Sequence, residues 1–174
     1  MPATTRLIST RDVGRLARLQ QSGRAFFEPW DPIRDDAYFT VEGQRAELER
    51  ALARYRDGEA LPHVIIDERE QVVGRITLSG ITRGAFQSCS MGYWVAPDYN
   101  GRGYAHDAAQ LMTTLAFGDM GLHRVQAETL PHNIRSRHVL EDVGFRRYGL
   151  AAQYLKIAGK WQDHVMYQLL TTRS

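Results

Sequence analysis

Gly101 and Gly103 stand two residues apart between an apolar, strand-like run, Ser88–Val95, and a helix-like run, Ala105–Phe117. A chain written this way must pass from strand to helix within a few residues, at a point where glycines remove the steric limit a Cβ imposes. The full gap reads Val95-Ala-Pro-Asp-Tyr-Asn-Gly-Arg-Gly-Tyr-Ala-His-Asp-Ala-Ala109. It is no dinucleotide fingerprint, because His106 stands where the third glycine is needed, and no Gly-Lys-Ser/Thr follows to make a P-loop. What remains is a helix N-terminus, where unpaired backbone N–H groups converge and the helix dipole places about half a positive charge. Arg102 adds a full one. Either the glycines admit a bulky diphosphate to that backbone, or they only turn the chain.

The totals bound the rest. With 174 residues, 43% of them apolar and 24% charged, residues 1–174 read as one globular domain. The 22 Lys and Arg nearly balance the 20 Asp and Glu, leaving a formal charge of +2, so direct nucleic-acid binding is not indicated. A lone cysteine, Cys89, sits mid-strand and reads as a packed thiol. The six histidines are scattered, so no metal-ligand spacing appears. Neither a signal peptide nor an apolar run of membrane-spanning length is present, which predicts a soluble, cytoplasmic protein.

Along the chain, Ser9-Thr-Arg-Asp12 has capping-box spacing ahead of a helix marked by Val13, Leu16, Ala17 and Leu19. Residues 22–37, with two prolines and three aromatics, predict an ordered loop. A second helix carries Leu48, Ala51, Leu52 and Tyr55 and stops at Asp57-Gly58. Strand-like runs follow at His63–Asp67, Gln71–Ile81 and Ser88–Val95, with short turns that favour antiparallel pairing. Beyond the glycine gap come the helix Ala105–Phe117, a strand at Val125–Leu130, a helix at Asn133–Val143 closed by Gly144, and two strands flanking Ala158-Gly-Lys160. The order is that of a mixed α/β fold.

Asn100-Gly-Arg-Gly-Tyr-Ala105, taken with Asn133-Ile-Arg-Ser136 and Gly144-Phe145, resembles the GNAT superfamily of acetyl-CoA-dependent N-acetyltransferases. Four further stretches resemble its RimJ/RimL-type protein N-terminal acetyltransferases across nearly the whole chain. They are Phe27-Glu-Pro-Trp-Asp-Pro-Ile-Arg-Asp-Asp36, Arg83-Gly-Ala-Phe-Gln-Ser-Cys-Ser-Met-Gly-Tyr93, Leu130-Pro-His-Asn-Ile-Arg-Ser136 and Tyr154-Leu-Lys-Ile-Ala-Gly-Lys-Trp-Gln-Asp-His-Val165. The resemblance implies a mostly antiparallel, centrally splayed mixed sheet of about six or seven strands, flanked by about four helices. It implies acetyl-CoA as donor and no metal.

It also assigns residues. The pantetheine arm would pair with Tyr93, Trp94 and Val95, with the Val95 N–H on the thioester oxygen. The pyrophosphate would lie on Asn100, Gly101, Arg102, Gly103, Tyr104 and Ala105, although Asn100 replaces the Arg or Gln usual at that position. Asn133 would bind pantetheine. Leu140 stands where many relatives place a donor tyrosine, and Ser136, three residues after Asn133, is the proton donor implied instead. Glu128, five residues before Asn133, is the candidate base, or else a structural partner for an arginine. Phe26, Phe27, Trp30, Tyr38, Tyr154 and Trp161, with Arg34, would line an acceptor groove. Asp163 and His164 are neighbours in a strand and face opposite ways, so they form no acid–base pair. The expected activity is acetylation of a protein N-terminus, such as that of a ribosomal protein, by a monomer or homodimer. Acetylation of a small aminoacyl compound, and a catalytically silent CoA-binding factor, are the alternatives.

Overall fold

The computed structural model describes residues 2–172. In chain order they form β1 (Thr4–Leu7), α1 (Val13–Ser22), α2 (Arg24–Phe27), α3 (Val41–Arg56), β2 (Ala60–Ile66), β3 (Val72–Thr82), β4 (Ser88–Val95), α4 (Tyr104–Phe117), β5 (Arg124–Thr129), α5 (Ile134–Val143), β6 (Arg146–Ile157) and β7 (Lys160–Leu170). The strands make one sheet in the order β1-β2-β3-β4-β5-β7-β6. Only β4 and β5 run parallel; every other neighbouring pair is antiparallel. This is the GNAT fold, a seven-stranded mixed sheet with five helices. None of these helices is long and apolar enough to cross a membrane.

Each face of the sheet carries its own core. Met91, Tyr93 and Val95 of β4 pack with Ala108, Met112 and Ala116 of α4 and with Leu140 of α5. On the opposite face Trp94 and Ala96 pack with Leu16 and Leu19 of α1 and with Leu48 of α3. The alternation of β4 thus sends odd-numbered side chains toward α4 and α5, and even-numbered ones toward α1 and α3.

Two local outcomes differ from the sequence expectation, and a third adds a partner to it. Residues 22–37 are not all loop, because α2 winds one turn and buries Phe27 against Trp94, ring centroids 5.3 Å apart. β2 starts at Ala60 and so contains Pro62, whose missing N–H costs nothing there. Pairing with β1 ends at His63, and the Pro62 carbonyl instead accepts from Ile8 N–H at 3.0 Å. Before α1, the Asp12 carboxylate accepts from Ser9 N–H at 2.8 Å, as the capping-box spacing implies, and also takes both terminal nitrogens of Arg6. Burial alone would raise this carboxyl, but those donors hold it below its ordinary range.

Candidate active site

The parallel ladder between β4 and β5 is short. It joins Ser88, Cys89 and Ser90 to Arg124, Val125 and Gln126, and then the strands part. β4 continues to Val95 on the arm of β3, and β5 continues to Thr129 on the arm of β7. The wedge between them is a cleft of about 810 Å³, within the range of small-molecule sites.

Which β4 amides face that wedge follows from the ladder on its other side. Ala96 N–H donates to the Val73 carbonyl at 2.9 Å. In an antiparallel pair such bonds recur at every second residue, so Trp94 and Gly92 also spend their backbone groups on β3. Tyr93 and Val95 therefore present theirs to the open seam. Gly74 makes this closeness possible: a Cβ there would lie 2.3 Å from the Trp94 carbonyl oxygen. The structure separates the three residues assigned to pantetheine, because the Trp94 backbone is spent on β3 and not on the seam.

At the mouth of the wedge the glycine loop enters α4. Gly101 and Gly103 have φ of 76° and 82°, and a Cβ at either would meet no atom of the described residues within 4 Å. Gly103 is the N-cap of α4 and has no side chain to cap it, and among the described residues no acceptor meets the amides of residues 104–106. The first-turn amides of α4 are thus free to take an anion. The Asn100 amide nitrogen is buried in the cleft wall without a hydrogen-bond partner among the described residues. Arg102 folds back, donating to the Asp98 carbonyl at 3.2 Å and lying over the Tyr99 ring. The Tyr104 side chain is core, its hydroxyl donating to Glu68 at 2.7 Å, so only its amide is available to a ligand. Ala105 lines the cleft, whereas His106 does not and contacts Asp107.

Across the wedge, Asn133 caps α5 by accepting from Ser136 N–H at 3.2 Å. The Ser136 hydroxyl shares a 3.0 Å hydrogen bond with the Tyr93 hydroxyl, a contact between residues 43 apart that the sequence did not reveal. Burial pushes the Tyr93 hydroxyl up to about 12, against the opposing effect of Ser136, so it keeps its proton at neutral pH. Behind them, Tyr167 of β7 donates to Glu141 at 2.8 Å and accepts from Arg137, which ties α5 to the sheet.

The other face of the wedge is aromatic and acidic. Phe26, Phe27, Trp30, Asp31, Trp94, Glu128, His132 and His164 all line it. Trp30 lies against His132 with centroids 5.4 Å apart. Burial raises the carboxyls of both Asp31 and Glu128, in Asp31 against the pull of Arg34. The residues assigned to an acceptor groove do not all meet here. Arg34 stacks on Tyr38 at 4.6 Å, and both line a separate depression of about 350 Å³ with Glu47 and Arg50. Tyr154 lies behind the cleft wall against His164, and Trp161 is 61% exposed outside it. Asp31, His132 and His164 were not among the residues assigned. Strand alternation carried half the signal for the last: Asp163 turns away to accept from Gln153 N–H at 2.9 Å, which sends His164 inward. Among the described residues no cluster of His, Cys, Asp or Glu is placed to hold a metal.

The family model for the acetyltransferase (GNAT) domain matches residues 4–146. The chain belongs to the GNAT acetyltransferases. This enzyme is 37% identical over 153 residues to the probable N-acetyltransferase YjcK of Bacillus subtilis, covering 87% of this chain and 84% of that one. It is 32% identical over 167 residues to the [ribosomal protein uS5]-alanine N-acetyltransferase of Escherichia coli, covering 95% and 86%. Among solved structures, Mycobacterium smegmatis RimJ in complex with CoA-disulfide superposes with a TM-score of 0.94 at 32% identity, covering 97% of this acetyltransferase and 82% of that chain.

Proposed function

We propose that this acetyltransferase moves the acetyl group of acetyl-CoA onto the α-amine of a protein N-terminus, with ribosomal proteins as the acceptor class. The observation that carries the reading is the two-sided seam. Uncapped amides and a hydroxyl pair lie on one face, and an aromatic, carboxylate-bearing wall lies on the other. The relatives named for ribosomal-protein alanine acetylation support the acceptor. Residues 1–174 work in this reading as one cytoplasmic catalytic domain.

The donor's diphosphate would rest on the amides of Gly101 to Ala105, which a Cβ-free loop leaves open. Its pantetheine would pair along β4, with Asn133 and the unpartnered Asn100 nitrogen as side-chain donors. The thioester oxygen then lies on Val95 N–H, which stabilises the negative charge that develops during attack. Only a neutral amine attacks. At pH 7 an α-amine, with a pKa of about 7.7–8.0, costs about 1 kcal/mol to deprotonate, whereas a lysine at about 10.4 costs roughly 4.6 kcal/mol. A wall carrying Glu128 suits the cheaper amine, holding the incoming ammonium before its proton is lost. As the C–S bond breaks, the Ser136 hydroxyl, itself bonded to Tyr93, supplies the proton to sulfur.

Mass spectrometry of protein N-termini from cells with and without the gene tests this. The expected result is that one or a few ribosomal proteins lose N-terminal acetylation when the gene is absent. If all N-termini keep their acetylation and purified enzyme instead prefers lysine side chains or aminoacyl nucleotides, the acceptor assignment fails.

A further inference from the structure

We infer that His164 of β7 takes the proton from the attacking amine, with Glu128 as the carboxylate that steadies the resulting imidazolium. This rests on the transfer of acetyl to an amine in the seam. His164 is only 3% exposed, yet it lines the cleft. Its Nδ1 lies 3.0 Å from the Gln162 carbonyl, an acceptor only, so Nδ1 carries the proton and donates. Nε2 is left as a lone-pair acceptor with no partner among the described residues. That nitrogen is not sealed in the interior, so an amine entering the cleft can reach it.

Register supplies the second group. Glu128 stands directly opposite Met166, so His164, two residues back along β7, is its diagonal neighbour on the same face. Diagonal pairs lie about 7–8 Å apart, within reach of long side chains. The Tyr154 ring of β6 covers the imidazole from behind at 5.6 Å, and its hydroxyl is raised first by burial and then by the charge of Glu128. The other ionisable groups lining the cleft are Asp31, Tyr93, His132 and Arg135. The arrangement is an oriented base with a carboxylate beside it and an aromatic shield behind, on the acceptor face opposite the Ser136–Tyr93 pair.

The step balances simply. The amine nitrogen bonds to the thioester carbon, its proton passes to Nε2, the C–S bond breaks, and the thiolate takes a proton from Ser136. Water restores the serine proton and removes the one on the imidazolium. Without an amine, the same base draws a proton from water, so slow acetyl-CoA hydrolysis depends on it too.

The test compares wild type, His164→Ala and His164→Gln, using whichever amine of a panel is acetylated fastest and also acetyl-CoA alone. Both variants are expected to keep the wild-type dissociation constant for CoA and to lose about 100-fold in kcat, with hydrolysis falling in parallel. Added imidazole is expected to restore His164→Ala at least tenfold and to leave His164→Gln unchanged. A kcat within about threefold of wild type in either variant, or His164→Ala activity indifferent to imidazole, overturns the role. The acceptor class is judged separately, by which amine wins the panel.

Discussion

Gly103→Val is expected to raise the dissociation constant for acetyl-CoA by about 100-fold. Gly103 holds a left-handed φ of 82° at the N-cap of α4. A β-branched residue there carries roughly 1–3 kcal/mol of backbone strain. Its methyl groups also enter space that no protein atom occupies, where the diphosphate would meet the first-turn amides. Losing one or two charge-assisted hydrogen bonds, each worth about 1.5–3 kcal/mol, gives a total near 3 kcal/mol, hence the hundredfold figure. Gly58 supplies the control. It has φ of 74° with equally open surroundings, but lies in the turn after α3. Calorimetry on Gly58→Val is expected to give wild-type affinity despite a similar loss of stability. Equal affinities for the two variants would place the donor's phosphates elsewhere.

The second large effect is expected at Ser136, where alanine lowers kcat by about 30- to 100-fold and leaves the affinity for acetyl-CoA within about twofold of wild type. General-acid assistance is worth about 10²–10⁴, and a thiolate, which leaves readily, falls at the low end. The variant separates chemistry from architecture cleanly. The bond that caps α5 runs from the Ser136 amide to Asn133, and alanine keeps that amide. What it removes is the hydroxyl shared with Tyr93. If Ser136 served only the helix start, steady-state kinetics would show no change.

The elements nearest the chemistry were the most legible ones. Ser88–Val95 has the bounds the sequence predicts, because β-favouring residues end abruptly at Ala96-Pro97. The glycine loop and α4 follow from residue types that only one kind of turn accommodates. The splay itself has no local signature. It is the place where pairing stops, after Ser90 and Gln126, and only the register of four strands reveals it.

The aromatic wall was partly legible for a related reason. Arg34 and Tyr38 share the aromatic segment with Phe27 and Trp30, but the chain turns between them, and they line a different depression. Composition marks a segment as ordered without saying which way each ring faces. Trp94 shows the same limit at the scale of one residue, since its backbone role was excluded only by the bond from Ala96 to Val73. The Tyr93–Ser136 pair was invisible for want of any short-range pattern linking β4 to α5.

The central claim is that a diphosphate gripped at the start of α4 aims a thioester along the parted strands. Titrating the ¹⁵N-labelled enzyme with CoA tests it most directly. The amide resonances of residues 101–106, with those of Tyr93 and Val95, are expected to move most, and that of Trp94 far less. Unmoved resonances along the loop, with the largest shifts around Arg34, Tyr38 and Arg50, would contradict it.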